Sequence, residues 1–182
     1  MSGAHASVQA VVVRPATPAD AARVEALLVA SYSSLLRTSH EPSLLAQALP
    51  YMVRPQASLL GSGTWYLAED GGGAGPPLGC GGWTVAAPGG GAATPHLAHL
   101  RHFATRPDMT RRGVGSRILA RCVADATAHG IEVFECLATL AAEPFYARLG
   151  FDRVEAASVM LGNAVDFPVV RMRLRLGAFG AG

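Results

Sequence analysis

The chain has 182 residues, close to one domain of roughly 150 residues, and half of them are hydrophobic, enough for one core without a disulfide or metal staple. Charged residues make up 15%, which excludes a disordered polyelectrolyte and a long charged coiled coil. The formal net charge of +2 argues against a broad nucleic-acid footprint while leaving room for a local basic patch. Cys80, Cys122 and Cys136 are scattered, with no CxxC pair and no histidine at ligand spacing, so neither a disulfide framework nor a metal site is expected. The first residues lack a basic segment followed by a long apolar run, and no stretch of about 18 apolar residues occurs. The expectation is a single domain over residues 1–182, in a reducing, cytoplasmic setting, with neither membrane nor nucleic acid as partner.

Val8 to Val13 is a β-branched run ended by Arg14-Pro15 and reads as a first strand. Asp20 is placed to cap a helix in which Val24, Leu27, Leu28 and Ser31/Tyr32 recur at helical spacing, and a second helix covers Leu44 to Met52. Residues 64–70, 78–86 and 97–105 read as strands separated by the Gly/Pro runs Gly71 to Pro77 and Pro88 to Pro95, short enough to be loops within one sheet. From Arg112 to His129, Val114, Ile118, Cys122, Val123 and Ala126 form an apolar stripe, with Gly130 at the position of a left-handed C-terminal cap. Ile131 to Ala138 reads as a strand, so strand, helix and strand imply a parallel crossover with the helix on the sheet. A short helix from Ala142 to Leu149 and strands at 151–160 and 168–176 complete an α+β chain of about seven strands.

Thr110-Arg111-Arg112-Gly113-Val114-Gly115-Ser116 falls between a strand and the long amphipathic helix. Glycines there let backbone approach a ligand, and the first-turn amides of a helix are unsatisfied donors, which together make an anion site. Arg111, Arg112 and Arg117 oppose the helix dipole unless an anion is bound. The competing reading is a tight turn with solvated arginines. A dinucleotide fingerprint needs a glycine where Ile118 stands, and a Walker A loop needs a lysine that is absent, so both nucleotide readings fail.

The segment TRRGVGSRIL resembles the acetyl-CoA pyrophosphate loop of the GNAT superfamily of N-acetyltransferases, and Pro107 and EPFYARLGF (Glu143 to Phe151) match that family's core in order and spacing. The specific resemblance spans about residues 97–151. Thr110 departs from it, standing at the family's Gln/Arg position. The resemblance implies a mixed, mostly antiparallel sheet of about seven strands, flanked by helices, with a central parallel pair near 97–105 and 132–138 that splays apart. It implies acetyl-CoA as cosubstrate, its pyrophosphate on the backbone of Arg112, Gly113, Val114, Gly115 and Ser116 beside Arg111. Backbone of Phe103 and Thr105 is implied for the acetyl and pantetheine portion, and the hydroxyl of Thr139 for pantetheine. No metal is implied.

Transfer of an acyl group from a thioester to an amine needs a held donor, a neutral amine and a proton for the departing thiolate. By the resemblance Tyr146 is the acid, with Phe145 and Leu149 beside it as core. Counting eleven residues back from Thr110, the family's base position falls on His99, close to His96 and His102. Glu135 competes with it, since a carboxylate in a buried parallel strand calls for a cleft or an arginine partner. Ordered water in place of a single base is the third option. Cys136, in an apolar strand, reads as inert packing.

The implied acceptor is a small-molecule or peptide amine, bound between the first two helices (Tyr32 to Tyr51) and the loop Gly162 to Phe167. Tyr32, Tyr51 and Trp65 are candidates for its pocket or for the core. A noncatalytic acyl-CoA-binding module and a nucleic-acid-binding domain using Arg111, Arg112, Arg117 and Arg121 are the alternatives. Val169 to Leu176 alternates Arg171, Arg173 and Arg175 with Met172, Leu174 and Leu176, a half-buried strand that also fits a homodimer seam.

Overall fold

The computed structural model describes residues 11–71, 73, 75–162 and 164–180. Its elements run β1 (Val12–Pro15), α1 (Ala21–Leu35), α2 (Pro42–Met52), α3 (Ala57–Leu60), β2 (Trp65–Glu69), β3 (Gly79–Thr84), β4 (Leu97–Thr105), α4 (Val114–Ala128), β5 (Val133–Thr139), α5 (Glu143–Arg148), β6 (Asp152–Leu161) and β7 (Val165–Arg175). The strands form one mixed sheet in the order β1-β2-β3-β4-β5-β7-β6, in which β4 and β5 are parallel and every other neighbouring pair is antiparallel. This is the α+β fold expected from the sequence.

Residues 8–10 of the expected first strand lie outside the described residues, and the visible strand runs on to Pro15. Asp20 does precede α1, but its carboxylate caps nothing in that helix. It turns back to accept from the Thr17 amide at 2.9 Å and from Arg14 and Arg23, which also hold Glu69 of β2. Burial pushes the Glu69 carboxyl up, but the two guanidiniums outweigh it and leave it below its ordinary value. The last loop is shorter than expected. Val165 to Phe167 belong to β7, pairing with Leu161, Met160 and Val159, because alternate apolar side chains at 165, 167 and 169 pack under α2. The strand period thus continues three residues further toward the amino terminus.

Two layers cover the sheet. On one face α4 packs Val114, Ile118, Leu119, Cys122 and Ala126 over Phe134, Cys136 and Met172, with Tyr146 and Phe151 closing that core. On the other, α1 covers Trp65, Leu67 and Cys80, and α2 covers Val165, Phe167 and Val169. No helix among the described residues is long and apolar enough to cross a membrane.

Candidate active site

The parallel pair at the centre of the sheet is incomplete. Leu97, Ala98 and His99 pair with Val133, Phe134 and Glu135, and beyond them β4 and β5 each run on without pairing to the other. The separation coincides with a β-bulge. Cys80 stands opposite Ala104 and Gly82 opposite Arg101, so His102 and Phe103 together face Gly81, and His102 adopts a left-handed φ of 49°. That re-aims Phe103 so that its ring lies over Gly81, where a Cβ atom would come within 2.5 Å of it. Only glycine fits there.

Two cavities meet at this opening. The first, about 810 Å³, is lined by Phe103, Thr105, Arg111, Gly113 to Ser116, Thr139 and Tyr146, together with Thr110, Phe145 and residues of α1. Gly113 takes φ 77°, a left-handed conformation that directs the chain into α4, and the first amides of that 15-residue helix therefore open into the cavity. The second, about 580 Å³, lies between α1, α2 and the β6–β7 turn. Tyr32, Phe103, Thr139, Ala142 and Tyr146 line both, so the two cavities adjoin at these side chains.

Tyr146 is held by aromatic edges. Phe103, Phe145 and Phe151 make T-shaped contacts with it, at 6.2, 5.0 and 5.1 Å between ring centroids. Burial pushes its phenol well above the ordinary value, so at neutral pH it is a proton donor. Burial likewise raises the Cys136 thiol, whose side chain is packed among Phe134, Ala138 and Tyr146.

The structure brings together most of the residues singled out from the sequence and leaves three apart. Arg112 is exposed and does not line the cleft. His99 and Glu135 sit at the closed end of the pair and line neither cavity. There Glu135 accepts from Nε and a terminal nitrogen of Arg173, both at 2.8 Å, the arginine pairing weighed above, and faces His99 Nδ1 at 3.7 Å. Burial depresses the His99 pKa, Glu135 opposing it in part. Tyr32 and Tyr51 line the second cavity, whereas Trp65 is 2% exposed and donates to the carbonyl of Arg101. Sequence reasoning passed over Arg101 and His102, which also line that cavity. Their only signal was two further polar side chains in a strand that also carries His99 and Thr105, and the bulge that places them leaves no trace in spacing.

The family model for the acetyltransferase (GNAT) domain matches residues 61–153, just over half of the chain, from before β2 into β6. The chain belongs to the GNAT acetyltransferases. No curated protein sequence matches it. Among solved structures, a GCN5-related N-acetyltransferase from Rhodopseudomonas palustris is similar at 21% identity and a TM-score of 0.69, covering 94% of this chain and 99% of its own. The PaiA N-acetyltransferase from Thermoplasma acidophilum, in complex with coenzyme A, reaches the same TM-score at 12% identity over 91% of this chain and 99% of its own. A Mycobacterium tuberculosis protein solved with CoA has a TM-score of 0.57 and 22% identity over 90% and 98%. At these identities the likeness is one of fold.

Proposed function

We propose that residues 1–182 form one acetyltransferase domain that moves an acetyl group from acetyl-CoA to a primary amine while both are bound. The observation that carries this is the pair of adjoining cavities, with helix amides in the first, the second bounded by α1, α2 and the β6–β7 turn, and a protonated tyrosine lining both. Two structural solutions of the same fold were obtained with coenzyme A, which supports the donor assignment.

The residues present fit such a donor. The amides of Val114, Gly115 and Ser116 at the α4 N-terminus, with Gly113 giving close backbone access, suit a pyrophosphate, and Arg111 adds charge on the same rim. Backbone of Phe103 and Thr105, freed from pairing across the opening, and the Thr139 hydroxyl suit the amide-bearing arm. The thioester supplies the activated acyl group. As the carbon–nitrogen bond forms and the carbon–sulfur bond breaks, Tyr146 gives its proton to the departing sulfur, and the amine's proton leaves to water. No carboxylate among the described residues lines either cavity, so water fits that second role better than a fixed carboxylate base. His99 and Glu135 serve the closed end of the sheet in this reading.

Calorimetric titration with acetyl-CoA, with ATP and NAD as controls, tests the donor directly. Selective binding followed by free-thiol release on adding amines is the expected result. A folded protein that binds none of the three refutes the assignment.

A further inference from the structure

The acceptor side of the cleft is apolar along most of its wall, with Tyr51, Leu137, Val159, Phe167 and Val169 among its lining. It carries one permanent charge, Arg101. Arg14, Arg23, Arg106, Arg153, Arg171 and Arg173 each lie within 4.0 Å of a carboxylate. Arg101 has none among the described residues, although it is partly buried and burial lowers its pKa. Of its five N–H donors one meets Thr84 Oγ1, at 3.3 Å, and that hydroxyl is itself donated to the Ala86 carbonyl. The guanidinium therefore keeps most of its fork free, and a half-buried cation with no carboxylate partner, set in an apolar wall, suits an anion.

The surroundings reinforce the sign. Arg171 and Arg173 come from β7 on the same face of the sheet, and the acid between them, Glu135, is committed to Arg173. His102, beside Arg101, is pushed down to about 4 by burial and by the guanidinium, so at neutral pH it adds no charge. Trp65 holds the Arg101 carbonyl at 3.1 Å, fixing the strand immediately before the bulge. Arg101 is two residues from Phe103, which packs on Tyr146, and all three line this one cavity.

We propose that Arg101 receives a carboxylate of the acceptor, so that the amine acetylated is a small amino-carboxylate with an apolar side chain, a free amino acid rather than a polyamine or a peptide amino terminus. This rests on the acetyl-transfer reading above and narrows it. A planar guanidinium matches a carboxylate through two parallel hydrogen bonds, while the wall above it has no acid to hold a second ammonium.

The test is thiol release from saturating acetyl-CoA with each standard amino acid, its carboxamide, spermidine and phosphoethanolamine. The expected result is turnover of one or more apolar amino acids, with kcat/KM at least about 10-fold above that of the matching amide, and a KM raised about 10- to 100-fold by Arg101→Gln. Acetyl-CoA affinity is retained in that variant, and its preference for acid over amide falls toward unity. Equal use of acid and amide, preference for spermidine or phosphoethanolamine, absence of turnover with every amino acid, or an Arg101→Gln variant that keeps the preference overturns it. If Arg101→Gln does not fold, the acid-to-amide ratio of the wild type decides alone. Failure of acetyl-CoA itself to bind strikes the transfer reading instead, and this inference falls with it.

Discussion

The two ends of the β4–β5 pair are built from opposite materials. At the closed end, where Leu97 to His99 pair with Val133 to Glu135, the sheet face carries buried charge that is compensated inside the protein: Glu135 against Arg173, with His99 alongside. At the open end the facing residues are Phe103, Thr105, Thr139 and Tyr146, with no ion pair among them. Backbone groups that lose their ladder partners must find others, and at the open end a ligand is the available partner. The ion-paired carboxylate is confined to the end where the ladder is intact, while the open side keeps Arg101 without a carboxylate among the described residues. The lesson is a division along a single strand pair, one end with its buried carboxylate ion-paired and its ladder intact, the other with its ladder open between two cavities.

The strongest way to break this comparison is to block the open end where the donor enters. Gly113→Glu places a side chain on a residue at φ 77° and a carboxylate at the mouth of the helix-amide site. Loss of acetyl-CoA binding by more than about 100-fold is expected by calorimetry, with the far-ultraviolet circular dichroism kept, because no atom lies within 4 Å of the new Cβ. Unchanged affinity would remove the pyrophosphate from this loop. Next in size is Tyr146→Phe, which keeps the ring among Phe103, Phe145 and Phe151 and removes only the proton. A fall in kcat of about 10²-fold with acetyl-CoA affinity retained is expected, and an unaltered kcat would excuse Tyr146 from acid duty.

Much of this arrangement is legible in the sequence. The bounds of β4 are readable from the Gly/Pro run before it and its own residues, and those of α4 from its apolar stripe, which obeys the helical period, and the glycine cap. The glycine turn is legible because Gly113 and Gly115 sit at a strand-to-helix junction, and Gly113 takes the left-handed φ that the turn needs. The acceptor wall was less legible. Arg101 and His102 enter the cavity through a bulge, and a bulge is decided by the neighbouring strand, here by the bare Cα of Gly81 beneath Phe103. His99 shows the same limit from the other side: a count along the chain reaches it, but the strands part only after it.

A smaller effect sharpens the structural half of the comparison. Glu135→Gln keeps the shape and removes the charge that answers Arg173. Because Arg173 is half exposed and rehydrates in part, the expected loss is about 2 kcal/mol, a few degrees in Tm by differential scanning calorimetry. The kcat should stay within about twofold of wild type, as Glu135 lines neither cavity. A collapse of kcat without loss of stability would move the reactive centre to the closed end.

The smallest predicted effect is a pH dependence from the bulge. His102 titrates near 4 in the folded protein against an ordinary 6.5, chiefly because it is buried and secondarily because Arg101 repels its proton. The unfolded chain therefore takes up a proton below about pH 6.5 that the folded protein refuses until about pH 4, so stability falls as pH is lowered through that window and levels off beneath it. His99, also depressed by burial, acts in the same direction. Between roughly pH 7.5 and 5.5 His102 should contribute a loss of about 1 kcal/mol. His102→Asn isolates it, because asparagine tolerates the left-handed φ of 49° and does not titrate. Urea titrations of both proteins at the two pH values should show a shallower acid decline in the variant. Equal slopes would mean that the imidazole at the bulge reaches water, and that the open end of the strand pair is wetter than its burial implies.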